Sequence, residues 1–471
     1  MFRLSYWIPS EWAWIASQLA STLGFFLAFL LLAHLLRQKR SPVSTTAWLL
    51  VIFLLPYVGV PLYLMLGGRK LLSMARHKPR VYNPRGAVAP HHLDGTAERL
   101  LESYGVPPAR SGNRVRLIGD GEDAYRSVLE FIDKAERSIH ITTYILGRDD
   151  VGREIVARLV RRAKDGVEVR LLLDSVGCWR VSRRFLAPLT AAGAKVAFFM
   201  PMFRLPHRGR ANLRNHRKLI VTDDRQALAG GMNLAGEYMG PTADAKRWLD
   251  LSLVVEGPAV HDLAELFASD WKFATSEDLS PPKLPPATAV PSEGTIVQVV
   301  ASGPDVTGDP LYDSLVTAFF GARARIWAVT PYFVPDETLV RALELAARRG
   351  IDVRLMVPEH SNHLTADLAR GSYLNQLQEA GGQVLLFKPV MLHAKLIILD
   401  NDLAVVGSAN MDMRSLFLNF ELALFLYSRE QVAAASAWME ASIKSCRHGI
   451  TPPGWARELA ENVGRLMSPL L

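Results

Sequence analysis

His216-Arg217-Lys218-Leu219-Ile220-Val221-Thr222-Asp223 and His393-Ala394-Lys395-Leu396-Ile397-Ile398-Leu399-Asp400 share one pattern, H-x-K-x4-D. Each is followed at the same distance by a glycine–asparagine element, Gly230-Gly231-Met232-Asn233 and Gly407-Ser408-Ala409-Asn410. His, Lys, Asp, Gly and Asn thus all recur at an offset of 177 residues. One copy is a weak signal; two copies in register mark an internal repeat. The surroundings repeat too. Gly166-Val167-Glu168-Val169-Arg170-Leu171 echoes Gly350-Ile351-Asp352-Val353-Arg354-Leu355, and Asp250-Leu251-Ser252-Leu253 echoes Glu421-Leu422-Ala423-Leu424.

Working outward, the runs 138–145, 167–174, 195–199, 219–222 and 251–255 are short, apolar and rich in β-branched or aromatic residues. An amphipathic stretch at 153–164 separates two of them. The second half repeats the order at 326–329, 353–357, 384–387 and 396–399, with a helix at 338–349 and another at 432–445. Alternating strands and helices predict an α/β fold. The expected architecture is two pseudo-symmetric halves, 113–280 and 295–471, forming one catalytic body about a Pro-rich linker at 281–294, with 71–112 as a connecting segment.

On a strand, residues two apart point to the same face. His216 and Lys218 therefore project together, as do His393 and Lys395. If the halves pack about a pseudo-two-fold axis, two imidazoles and two ammonium groups converge, with Asn233 and Asn410 as neutral donors. That set suits phosphodiester chemistry. Two lysines bind phosphoryl oxygens and offset the charge of the transition state. One histidine attacks phosphorus and the other acts as acid and base. An imidazole nucleophile needs its far nitrogen held, usually by a carboxylate. Asp250 and Glu421 occupy equivalent places in the two copies and are the candidates for orienting the histidines. Nothing in this set requires a metal or another cofactor.

The chain has 471 residues, 49% hydrophobic and 21% charged, with a formal net charge of +8. Its mean hydropathy is +0.11. These values exclude a disordered chain, and two cysteines, Cys178 and Cys446, exclude a disulfide scaffold. The mild positive charge fits an anionic partner without choosing phospholipid over nucleic acid. The excess apolarity sits in 12–36 and 43–66, around the joint Arg37-Gln38-Lys39-Arg40-Ser41-Pro42. Each run exceeds the roughly 20 residues that span a bilayer. Two transmembrane helices within 1–70 are expected, with a re-entrant hairpin as the alternative because Pro56 and Pro61 bend the second. The basic cluster Arg69, Lys70, Arg76, Lys78, Arg80 and Arg85 places the body on the cytoplasmic side of a bacterial inner membrane.

On the paired motifs, their G-x-x-N tails, the apolar hairpin and Thr330-Pro331-Tyr332-Phe333-Val334-Pro335-Asp336, the chain resembles the phospholipase D superfamily. Within it the chain resembles bacterial cardiolipin synthases with two N-terminal membrane segments. The resemblance implies metal-independent transfer of a phosphatidyl group between two phosphatidylglycerol molecules through a phosphohistidine. It implies His216 as nucleophile and His393 as acid/base. Lys218, Lys395, Asn233 and Asn410 are implied as phosphate contacts. Asp223 and Asp400 count with the catalytic motif, as braces rather than reacting groups. One departure stands out: Gly231 takes the place where the superfamily pattern has Ser.

A longer stretch before the first motif carries Arg204, His207, Arg208, Arg210 and Arg214. It reads either as a solvated loop or as a basic lip for anionic headgroups. Trp179, Trp248, Trp271 and Trp327 read as core; His91, His92, His360 and His363 read as surface, with His360 or His363 as candidates for the cleft. A phospholipase-type hydrolase remains the alternative, because acceptor choice is not written in the motifs. A nuclease would not need membrane spans, and no stripe of basic and aromatic residues points to nucleic acid.

Overall fold

The computed structural model describes residues 18, 22, 26, 29, 42–66, 78, 80–82, 96–201, 213–279, 294–451 and 454–466. Most of the expected span 12–36, the linker prolines, and Arg204, His207, Arg208 and Arg210 lie outside them. The chain divides into two compact units, an N-terminal one ending at Leu71 and a body beginning at Leu72.

In the N-terminal unit the expected span 43–66 is two helices, Pro42–Leu54 of 13 residues and Pro56–Leu66 of 11. Pro56 has no N–H to continue the first helix, so the ladder breaks at Leu55. At about 1.5 Å per residue neither piece reaches the roughly 30 Å of a hydrocarbon core. Among the described residues no helix is long and apolar enough to cross a membrane. The two helices pack through Ile52, Val60 and Tyr63, with Trp48 edge-on to Tyr63 at 5.3 Å. A Cβ on Gly59 would meet the Val51 carbonyl oxygen at 2.4 Å, so only glycine permits this approach.

The first half of the body supplies strands β1 (Arg110–Ile118), β2 (Ser138–Thr143), β3 (Glu168–Asp174), β4 (Lys195–Phe199), β5 (Leu219–Thr222), β6 (Gln226–Gly230) and β7 (Ser252–Glu256). The second supplies β8 (Thr295–Ser302), β9 (Arg325–Val329), β10 (Phe333–Val334), β11 (Asp352–Pro358), β12 (Gln383–Phe387), β13 (Leu396–Leu399), β14 (Leu403–Gly407), β15 (Met411–Asp412), β16 (Glu421–Leu426) and β17 (Cys446–His448). Fifteen of these run in the order β17-β12-β11-β9-β13-β14-β16-β8-β1-β7-β6-β5-β2-β3-β4. Read outward from the β8–β1 junction, the first seven strands on each side match one for one, and β17 is an added edge strand of the second half. The repeat in sequence is thus a repeat in topology, and β1 pairs antiparallel with β8 at its centre.

In each half three parallel strands (β2, β3, β4 and β9, β11, β12) are joined by helices such as Asp150–Lys164 and Glu337–Arg348. Asp149 and Asp336 cap these two helices, each accepting a backbone N–H three residues on. The motif strands β5 and β13 then enter antiparallel to β2 and β9. This reversal puts His216 beside the C-terminal end of β2 and His393 beside that of β9.

Candidate active site

His216 and His393 immediately precede their strands, and backbone bonds across the halves fix both. His216 N–H donates to the Phe420 carbonyl at 2.9 Å, and Phe420 N–H donates to the Arg214 carbonyl at 2.9 Å. Symmetrically, His393 N–H donates to the Leu249 carbonyl at 2.7 Å, and Leu249 N–H to the Met391 carbonyl at 3.0 Å. Each histidine is thereby stitched to the residue before a carboxylate of the opposite half.

The side chains complete the exchange. His216 Nδ1 lies 3.0 Å from Glu421 Oε2. His393 Nδ1 lies 2.6 Å from Asp250 Oδ2. Neither half holds a complete histidine–carboxylate pair. Both expected orienting residues are in place, but each serves the other copy's histidine. All four groups are buried. Lys218 Nζ donates to the His216 carbonyl at 2.7 Å. Lys395 Nζ donates to the His393 carbonyl and lies 2.8 Å from His393 Nδ1.

The electrostatics of the two pairs differ. Burial raises Asp250 to about 6, against the pull of Lys395. Burial pushes Glu421 the same way, but attraction to His216 and Lys218 and the hydroxyl of Ser408 outweigh it, and it ends below its ordinary value. Ser408 Oγ donates to Glu421 Oε2 at 2.5 Å. In the first copy Gly231 takes that place, and a Cβ there would meet Asp250 Oδ1 at 2.1 Å. The missing hydroxyl and the shorter carboxylate therefore go together. Burial lowers both histidines, His393 far below its usual value with Lys395 and Lys218 adding to it. Burial also lowers Lys218 to about 7 and Lys395 to about 8.

The asparagines hold the walls. Asn233 Oδ1 accepts the Ile145 N–H at 3.1 Å and its amide bonds Tyr238. Asn410 bonds Asp412, while its own carbonyl oxygen has no partner among the described residues. Several aromatic groups that sequence patterns missed line the site. Tyr144 stands edge-on to His216 at 4.9 Å, and Tyr238 and Trp248 flank His393 at 5.1 and 5.5 Å. All three belong to the first half, Tyr144 just after β2 and Tyr238 and Trp248 between β6 and β7, and only the tertiary contacts identify them.

Asp223 and Asp400, expected as braces rather than reacting groups, sit at the far ends of β5 and β13 and hold backbone there. Asp223 accepts the backbone N–H groups of Glu136, Arg137 and Ser138 at 2.7–2.9 Å, and Asp400 those of Arg323, Ala324 and Arg325. Each buckles the start of a neighbouring strand. Two tryptophans expected in the core are not there: Trp179 is 71% exposed, and Trp248 is only partly buried and flanks His393, whereas Trp271 and Trp327 are buried. Arg214 is not part of an exposed lip, because burial encloses it beside Asp174. Of the surface histidines, His363 packs against Tyr332 at 5.4 Å.

Away from this site, His261, Asp262 and Glu265 bring three potential ligand atoms within 4.8 Å of one another. Arg110 binds both oxygens of Asp262 at 2.5 and 2.6 Å, so this carboxylate is engaged in an ion pair.

A family model described as cardiolipin synthase, phospholipase D-like domain, matches residues 128–271 and 315–443. A second, described as phospholipase D-nuclease N-terminal, matches 26–68. A protein named cardiolipin synthase from Geobacillus kaustophilus (strain HTA426) is 35% identical over 92% of this chain and 90% of its own. Cardiolipin synthase 1 of Bacillus anthracis is 32% identical over the same shares. Among solved structures, phosphatidylserine synthase from Haemophilus influenzae Rd KW20 superposes with a TM-score of 0.61 at 15% identity, covering 80% of this chain and 100% of that one. That likeness shows the shared fold.

Proposed function

The chain belongs to the family of cardiolipin synthases with phospholipase D-like domains, and we propose that it joins two phosphatidylglycerol molecules into cardiolipin and glycerol. The observation that carries this reading is the crossed pair of buried histidines, each with Nδ1 on a carboxylate of the other half, between two lysines.

In the first step Nε2 of His216 attacks phosphorus while the bond from phosphorus to the glycerol oxygen breaks. His393 gives its proton to that oxygen, and glycerol leaves. In the second step His393 takes the proton of the terminal hydroxyl of another phosphatidylglycerol. The new phosphorus–oxygen bond forms as the phosphorus–nitrogen bond breaks. Lys218 and Lys395 offset charge on the phosphoryl oxygens, and the amides of Asn233 and Asn410 add neutral donors.

The difference between the carboxylates supports this division of roles. Glu421 stays ionised and is held by Ser408, which suits a ring that must carry positive charge as a phosphoimidazole. Asp250, raised to about 6, shares a proton readily with a ring that gains and loses one each cycle. A phosphodiester between the lysines counters the repulsion that lowers His393 and so favours its acid form.

The N-terminal helices fit attachment to the bilayer that holds the substrate, with the body on the cytoplasmic side. The test is an assay of purified protein in phosphatidylglycerol vesicles. Cardiolipin and glycerol in equal amounts support the reading; phosphatidic acid as the main product sinks it. His216→Ala is expected to abolish capture of a phosphatidyl–enzyme intermediate in samples denatured in detergent at alkaline pH, where a phosphorus–nitrogen bond survives, whereas His393→Ala slows its turnover.

A further inference from the structure

We propose that Lys78, in the segment that leads from the N-terminal unit into the body, is a positioning residue for His216. The sequence places Lys78 in a basic cluster, where a solvated side chain is the ordinary expectation. Instead it is buried, and its ammonium bonds Asp270 Oδ1 at 2.5 Å and Asp305 Oδ2 at 2.7 Å. Asp270 belongs to the first half and Asp305 to the second.

Asp270 is the hub. Its carboxylate takes Arg217 Nη1 at 2.6 and 2.7 Å and Asn215 Nδ2 at 3.0 Å. These are the two residues on either side of His216. Arg217 also donates Nε to the Glu421 carbonyl at 3.0 Å and Nη2 to the Ser302 carbonyl at 3.2 Å. The Lys78 ammonium lies 4.9 Å from the ring centre of Phe420, whose carbonyl holds the His216 N–H. One cluster therefore grips the nucleophile's backbone and its orienting glutamate together.

The cluster contains two cations, Lys78 and Arg217, and two anions, Asp270 and Asp305, all with side chains about 1% exposed. Removing one member leaves a buried charge unbalanced. The segment is fastened beyond Lys78 as well. Val81 N–H donates to the Asp305 carbonyl at 3.3 Å, and the Tyr82 hydroxyl accepts the Ala301 N–H at 2.8 Å. Lys78, Val81 and Tyr82 thus strap this segment to β8 and the turn after it, with Lys78 as the inward-pointing end. Lys78 does not touch the reacting atoms; it acts by holding Asp270, which holds the residues flanking His216.

The inference rests on His216 being a reacting residue. The test uses the full chain in phosphatidylglycerol vesicles and follows glycerol release, which reads the rate whether the phosphatidyl group ends on lipid or on water. Product identity tests the synthase reading separately. Lys78→Met is expected to lower kcat about 10- to 100-fold, as small misplacements do, with KM within about twofold of the original. It also lowers the melting temperature, because Asp305 loses the nearer of its two cations and keeps only Arg217, 3.9 Å away. Lys78→Met/Asp305→Asn restores the charge balance and brings the melting temperature back, while kcat stays at least about fivefold low and KM stays unchanged. A double variant with both the original melting temperature and the original kcat overturns the proposal. So does a loss expressed in KM rather than kcat.

Discussion

At the residue scale the site is symmetric in design and asymmetric in charge, and pH reads the asymmetry. Lys218 and Lys395 lose their protons near 7 and 8, so positive charge facing an anionic diester disappears as pH rises through that window. Asp250 gains a proton below about 6 and then no longer accepts the His393 N–H. kcat/KM should therefore fall on the acid side near 6 and on the alkaline side between about 7 and 8. A flat profile from pH 5 to 9 would contradict the assignment. The Gly231–Asp250 contact makes a second prediction. Gly231→Ser imitates the second copy, but its Cβ needs the space of Asp250 Oδ1. The carboxylate must move off His393, and kcat is expected to drop about 10- to 100-fold. A Gly231→Ser enzyme with full kcat would show that Asp250 does not orient the ring. Asp223 and Asp400 behave differently, since they hold backbone far from phosphorus. Asp223→Ala leaves three backbone donors without their acceptor and is expected to cost about 1–3 kcal/mol in a denaturant melt. The kcat of the folded fraction should stay within about twofold.

At the scale of elements, the repeat makes most of the body readable from the sequence. Runs 219–222 and 396–399 coincide with β5 and β13, because apolar, mostly β-branched or leucine residues there are buried on both faces and leave no helical period, and 195–199 coincides with the edge strand β4, a short apolar run after Lys195. β1, with Arg110, Asn113, Arg114 and Arg116, alternates polar and apolar residues and hides among charges. β6 and β14 end in glycine and are too short to show a period. The histidine–carboxylate candidates were legible from the repeat, but their crossing was not. Which half's carboxylate serves which histidine is decided by backbone bridges between residues that lie more than a hundred positions apart. The role of Lys78 is hidden from sequence for the same reason: nothing in a basic cluster marks the one lysine that two distant aspartates enclose. Trp179 fails in the opposite sense. It looked like core but stands exposed beside Arg180, whose guanidinium lies 5.0 Å from its ring centre. Trp179→Ala should therefore change unfolding free energy by no more than about 0.5 kcal/mol, whereas Trp271→Ala should cost about 3–5 kcal/mol. Equal losses for the two would return Trp179 to the core.

At the scale of the molecule, the crossed pairs make the two halves one enzyme rather than two copies of a site. The first half contributes His216 and Asp250, the second His393 and Glu421, and each imidazole finds its carboxylate only across the boundary. The same boundary carries the β1–β8 pairing, the bonds of His216 and His393 to Phe420 and Leu249, and the bridge of Lys78 between Asp270 and Asp305. None of these contacts depends on chain continuity between Leu279 and Gly294. Cutting the chain there should thus leave two fragments that assemble when produced together, because the ladder and the buried charges specify a single partner surface. Their activity should lie within about tenfold of the intact chain once their concentration exceeds the effective concentration that the linker supplies. Each fragment alone should show no glycerol release, since it holds one unpartnered histidine and one unpartnered carboxylate. The fragment with β8 at its exposed edge should also aggregate, because an uncovered strand offers its N–H and C=O groups to any other. Co-purification on a tag carried by one fragment, with turnover measured in the eluate, decides the matter. Activity from either fragment alone would mean that the site closes between identical halves of two chains, and the crossed pairing within one chain would then not be what catalysis requires.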